Sequence, residues 1–369
     1  RSDRDWSSDV CSSDLCIFEM MFNTQATMTD LNSFPTEAAL LNIIDQQYDS
    51  LEGGLVYGKA GLALYYAKLS NEDTAYKKIY NRLVDDVLTK VSDKTPVEFS
   101  RGLLGIAFAL DIIMHYFKPG NPDYVLDDMD ALIYKSLDKG RDRKPLDENL
   151  AVEGLFYLSM HLKYGIRNTT KHRIYADKAM QLLNDLCITL PVNFFQEPIP
   201  CNVFNRSFFL LYAIGNLYEQ NIGRQRIEHI CDDLIYELGA NVPIFHFNRL
   251  ERCFLVIRLI SLGCAKHPNW KEYQKLLLDS LSLKRLFNEE CANNQLALSD
   301  GLTGAMLLIL GANKYSPVPL FDVPWEFYKD RLNQCDTLTL LNGKKTPLYK
   351  YGINWLWGMK DLLNIEHSM

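Results

Sequence analysis

The chain has 369 residues, of which 47% are hydrophobic and 23% charged, a balance that supports a sizeable core and excludes disorder along its whole length. Its 39 basic and 46 acidic residues leave a formal net charge of −7. No cluster of Lys and Arg with interleaved aromatics occurs, so nucleic acid is not an expected partner, and no apolar run approaches the roughly 18–20 residues of a membrane span.

Residues 1–15 repeat Ser-Ser-Asp, and the back-translation of residues 6–15 matches a sequencing-adapter oligonucleotide. This stretch is expected to be translated read-through, with Met20, Met21 or Met28, or a start lost upstream, as the candidate beginnings. Residues 16–35 read as an N-terminal tail. No linker rich in Gly, Ser or Pro divides the remainder of the chain, so 36–369 is expected to be one domain.

Over 36–48, Ala39, Leu40, Ile43 and Ile44 fall at helical spacing. Gly58-Lys59-Ala60-Gly61 then opens an apolar helix. Residues 73–91 are polar on one side, with Ile79, Leu83, Val87 and Leu88 on the other, and Gly102-Leu103-Leu104-Gly105 opens the next apolar helix. The alternation continues. Helix 123–137 precedes one near Gly154, 171–190 precedes 205–218, and 224–238 precedes 249–262. Helix 270–287 precedes Ser299-Asp300-Gly301-Leu302-Thr303-Gly304, and 325–332 precedes 355–363, with a short hairpin arm expected at 337–343. Glycines three apart leave one helical face bare, so another backbone or a ligand can approach.

This makes roughly seven pairs with a period of about fifty residues, the mark of a repeat architecture. The first helix of each pair is amphipathic and belongs outside; the second is apolar nearly all round and belongs inside. That contrast favours an all-α ring of helical hairpins, an α/α toroid or barrel, with the loops before the inner helices forming a central mouth. The nine cysteines form no CxxC motif and several sit in apolar helical contexts, as reduced thiols do in a cytoplasmic protein.

The seven glycine-marked inner helices resemble the lanthionine synthetase C-like (LanC-like) family, whose members are (α/α)7 toroids. Leu298-Ser299-Asp300-Gly301-Leu302-Thr303-Gly304 is similar to the family's Leu-Cys-His-Gly-x-x-Gly, in which Cys and His bind zinc. Arg249-Leu250-Glu251-Arg252-Cys253-Phe254 is similar to the family segment with an Arg four residues before a zinc-binding Cys. The resemblance implies zinc at Cys253, Ser299 and Asp300 and a catalytic role for Arg249. In that chemistry zinc leaves one position open for a substrate thiolate. The thiolate adds to a dehydrated residue and closes a thioether ring, while an Asp and a His handle protons and the Arg stabilises the enolate.

This sequence departs from that set. Ser299 and Asp300 replace Cys and His, and a serine hydroxyl is a poor zinc ligand. The nearest match to the family's Asp is Leu150, beside Asn149, and its His position falls within Asn205-Arg206-Ser207-Phe208 without a His. Zinc therefore enters through the resemblance only, and no cofactor is otherwise expected. The expectation is a degenerate LanC-like protein of peptide maturation. It would bind a precursor peptide, or a modifying enzyme, through a mouth carrying Arg252, Glu251, Asn205 and Glu153. One alternative is a cyclase with an altered metal centre. Another is an α/α-barrel glycoside hydrolase using two of Glu52, Glu153 and Asp300.

Each residue also has a plainer role. Cys253 fits a small buried hydrophobe. Arg249, Glu251 and Arg252 fit a solvated helix start. Ser299 and Asp300 fit caps at a helix N-terminus. His246 with Cys201 and Cys291 forms an alternative metal set that spacing does not support, and Trp355 and Trp357 fit the core.

Overall fold

The computed structural model describes residues 37–56, 58–71, 74–138, 146–196, 202–291 and 298–334. The helix expected over 355–363, the arm at 337–343, Cys201, Trp355 and Trp357 lie outside them. Among the described residues the architecture is all-α, without strands, and the one bridge pairs Glu52 with Gly58.

Outer and inner helices alternate along the chain. The outer helices are α1 (Glu37–Gln47), α3 (Thr74–Lys90), α5 (Asp127–Leu137), α7 (Thr169–Thr189), α9 (Arg224–Ala240), α11 (Pro268–Ser280) and α13 (Trp325–Gln334). The inner helices are α2 (Lys59–Leu69), α4 (Leu103–Ile112), α6 (Glu148–Tyr164), α8 (Arg206–Glu219), α10 (His246–Leu262) and α12 (Leu302–Tyr315). Their burial matches the sequence pattern. Every residue of α4 is buried, whereas α9 buries only the stripe Ile227, Ile230, Cys231, Leu234, Ile235 and Leu238. The inner helices pack in chain order, each on the next from α2 to α12.

Three helices depart most from the sequence expectation, two of them for tertiary reasons. Helix α10 starts three residues early, at His246, because Glu290 accepts the His246 and Phe247 N–H groups at 2.7 and 2.8 Å. This satisfies donors that a helix start leaves orphaned. Helix α11 stops at Ser280 instead of running to 287. The Ser280 carbonyl accepts Arg249 Nη1 at 2.6 Å, and the Ser282 N–H donates to His246 Nδ1 at 3.2 Å. The expected helix over 123–137 is broken at Leu126, with one turn at Pro122–Val125 before α5.

A buried polar belt crosses four inner helices. Asn216 on α8 donates to Ser159 Oγ on α6 at 3.2 Å. Arg258 on α10 donates from Nη2 to Asn216 Oδ1 at 2.6 Å, from Nη1 to the Tyr212 carbonyl at 3.0 Å, and from Nε to Tyr315 Oη on α12 at 3.3 Å. The guanidinium also lies 4.3 Å from the centre of the Tyr212 ring.

Candidate functional site

The glycine-marked starts are contacts between each inner helix and the loop that precedes it. Gly102 and Gly301 are extended N-caps of α4 and α12. A Cβ at Gly105 would stand 1.9 Å from the Phe99 carbonyl oxygen, and one at Gly304 would stand 2.2 Å from that of Leu298. The close approach expected from the spacing is therefore made by the chain's own backbone. The loops also pair with each other: Val56 N–H donates to Ser100 O at 2.9 Å, and Val203 N–H to Ser299 O at 2.7 Å.

Phe99 fills the space between these starts. Its ring centre lies 5.2 Å from both Phe156 and Phe209 and 5.4 Å from Phe108, and the side chain is fully buried. Beside this aromatic plug is a cavity of about 370 Å³ lined by Asn149, Val152, Glu153, Phe204, Asn205 and Arg206, among others. It lies between the starts of α6 and α8. The local sequence sets both ends. Asp147 caps α6 by accepting the Leu150 N–H at 3.1 Å, and Asn205 caps α8 by accepting the Phe208 N–H at 3.0 Å.

Two of the expected mouth residues, Asn205 and Glu153, line this cavity, and a third, Glu251, is joined to it through Asn205. Asn205 Nδ2 donates to Glu251 Oε2 at 2.7 Å, which ties α8 to α10. Glu251 is 2% exposed. Burial pushes its carboxyl up to about 8, against the opposing pull of Arg252 and Asn205. Glu153 accepts the Phe99 N–H at 2.8 Å and so holds the plug loop against α6. Burial also raises its carboxyl, Phe99 pulls it down, and Glu98 and Asp147 add like charge. Arg252 is set apart: it is 3% exposed, its guanidinium lies 5.3 Å from the centre of the Phe195 ring, and Nε and Nη1 make no hydrogen bond to a described residue.

The residues at the positions where the resemblance implies zinc do not fit that ion. Cys253 is fully buried, and desolvation pushes its thiol up to about 12, away from the thiolate a metal requires. Ser299 spends its hydroxyl proton on Asp300 Oδ1 at 2.8 Å. Among the described residues no three His, Cys, Asp or Glu side chains converge in a metal-binding group. Arg249 donates from Nε to Pro243 O and from Nη1 to Ser280 O, both at 2.6 Å. Its fork thus joins backbone carbonyls at the outer end of the α10 start. Ser299 and Asp300 do not cap α12; Gly301 is the N-cap and no side-chain cap bond forms.

The carboxylates of the hydrolase alternative are distributed differently. Glu52 lines a separate cavity of about 500 Å³ with Glu98 and Arg101, while Glu153 lines the first; Asp300 lines neither.

A cluster absent from the sequence expectations lies near the other ends of α4 and α6. His161 Nδ1 is 2.6 Å from Asp111 Oδ2, and its Nε2 is 3.3 Å from Asp130 Oδ2. Tyr157 donates to Asp130 Oδ1 at 3.0 Å. Burial works against charge on His161, but Asp111 and Asp130 outweigh it and push the imidazole up to about 10. Burial pushes Asp111 up to about 6, against the pull of His161. The signal was available: Asp111, His161 and Arg258 are ionisable residues set within apolar runs of their helices, and such groups need buried partners.

Comparisons of the chain with protein-family models, with curated proteins and with solved structures return no match.

Proposed function

We propose that the chain is a LanC-like α/α toroid that binds a precursor peptide at the starts of its inner helices and does not perform zinc-dependent cyclisation. One observation carries the reading. The resemblance places a proton-handling Asp at Leu150 and a His within 205–208; Asn149, the neighbour of the first position, lines one cavity with Asn205, Arg206 and Ser207. Two positions far apart in sequence, which the resemblance assigns to one site, therefore adjoin one space. The groups there suit binding better than ring closure. Amide, carboxylate and guanidinium side chains stand against Phe204 and Phe209, a mixture that holds a peptide by polar contacts and apolar packing. The thiol, hydroxyl and carboxylate at the implied zinc positions supply no three-ligand set. The binding partner is a peptide of the ribosomally made, modified kind, and a modifying enzyme is a second partner consistent with this surface.

Panning a displayed library of random heptapeptides on the purified chain tests the reading, with metal analysis of the same protein. Enriched peptides whose binding is weakened by Val152→Trp, a substitution that fills the cavity, support it. Stoichiometric zinc that disappears on Cys253→Ala would sink it in favour of the cyclase.

A further inference from the structure

The same cavity has a charge pattern that selects its occupant. Glu153 lies in its lining and uses Oε2 to accept the Phe99 N–H, while Oε1 makes no hydrogen bond to another described residue. Glu98, from the loop before α4, and Asp147, the cap of α6, both press on Glu153 with like charge. Arg206 brings a positive charge to the lining but is engaged elsewhere. Its guanidinium donates to Glu148 Oε1 at 2.8 Å and to the Asn193 carbonyl, and lies 5.1 Å from the centre of the Phe194 ring. No ion pair joins it to Glu153. The remaining walls include Val152 and two stacked rings, Phe204 and Phe209, whose centres are 6.4 Å apart.

A half-buried carboxylate that no described cation pairs with is electrostatically costly, and a cation placed beside it removes that cost. Aromatic walls add attraction for a cation that has lost water. A volume of about 370 Å³ accepts the end of one long side chain.

We propose that this cavity is a specificity pocket for a positively charged side chain, Lys or Arg, of the bound peptide; the inference rests on the peptide-binding reading above. The cationic head meets Glu153 Oε1, and the methylene stem packs along Val152, Phe204 and Phe209, as long basic side chains do on apolar surface.

The library experiment carries the test further. Peptides selected on the full chain are expected to hold Lys or Arg at one fixed position. A synthetic copy of the strongest loses about tenfold or more in affinity when its Lys becomes norleucine, which keeps the stem and removes the charge. Glu153→Gln retains an acceptor for the Phe99 N–H. It is expected to weaken the Lys peptide by a similar factor and to leave the norleucine peptide unchanged, a pairwise readout that general damage to the fold does not reproduce. Selected peptides with no basic position, or equal affinities for the Lys and norleucine copies, overturn this inference and leave peptide binding standing. No enrichment over the input library overturns both. Displacement of the peptide by putrescine, beyond that caused by sodium chloride at matched ionic strength, assigns the pocket to a free diamine and overturns the peptide source.

Discussion

Gly215→Ala is expected to change sign with the residue at position 258. Gly215 lies in α8 with Arg258 of α10 pressed against it, so that a Cβ there would stand 2.1 Å from Nη1 and 2.9 Å from Cζ. The guanidinium is 1% exposed and held at 3.0 Å by the Tyr212 carbonyl and at 2.6 Å by Asn216 Oδ1. Ordinary contacts lie near 3.5–4 Å, so the fork must retreat by more than about 1 Å. That retreat breaks both hydrogen bonds, each worth about 1.5–3 kcal/mol because the donor is charged. Alanine is better than glycine within a helix by only ~1 kcal/mol, and the net expectation is a loss of about 2–5 kcal/mol. In an Arg258→Ala background the nearest remaining atom is Leu262 Cδ1 at 3.2 Å. There the same substitution is expected to be neutral or to gain up to ~1 kcal/mol. Urea unfolding of the four proteins, followed by circular dichroism, measures the coupling directly. An equal cost in both backgrounds, or a Gly215→Ala protein more stable than the parent, would refute the packing argument.

The buried Asp111–His161–Asp130 cluster predicts a pH dependence. The folded-state values of His161 and Asp111 are both raised, so their stabilising contributions are present in acid and are lost as pH rises, through about 6 for Asp111 and about 10 for His161. Unfolding midpoints should therefore fall more steeply towards pH 10 in the parent than in His161→Gln. His161→Leu leaves two buried carboxylates facing each other and should cost about 3–5 kcal/mol; a loss below about 1 kcal/mol would contradict the burial argument. Cys253, with its thiol pushed up to about 12, should react with iodoacetamide in the folded protein at least about a hundredfold more slowly than in urea. Peptide mass mapping reads this, and comparable rates would place the thiol at an accessible surface. Gly304→Ala should cost about 3 kcal/mol, because its methyl meets the Leu298 backbone rather than a movable side chain. Gly239→Ala, with nothing within 4 Å, should stabilise α9 by about 0.5–1 kcal/mol. Thermal melts of the two variants moving in the same direction would argue against the loop contact.

Much of the fold was legible because burial is written as pattern. An inner helix such as Leu103–Ile112 is apolar on every side, and an outer one such as Arg224–Ala240 shows one stripe. The glycines at 102, 105 and 304 announced close approach but could not say to what, since the partner is a carbonyl six residues earlier. Glu153, Asn205 and Glu251 were legible as a group because each lies near the start of an inner helix. The helix start at His246 was not, because the capping carboxylate of Glu290 comes from a later repeat. Ser299 and Asp300 have the chemistry of caps, yet the extended Gly301 takes that position and the two side chains bond each other instead.

The placement of Phe99 has a consequence for synthesis. Its ring rests on Phe156 and Phe209, both encoded well downstream of the loop that carries it. As the chain emerges from its N-terminus, that loop has only part of its seat until α6 and then α8 have been made. The growing polypeptide therefore carries an unsheltered phenylalanine through the synthesis of two further helical hairpins. Chains cut short before α8 would lack the Phe209 side of the seat and leave part of Phe99 and Phe156 uncovered, and self-association should be the mark of such fragments.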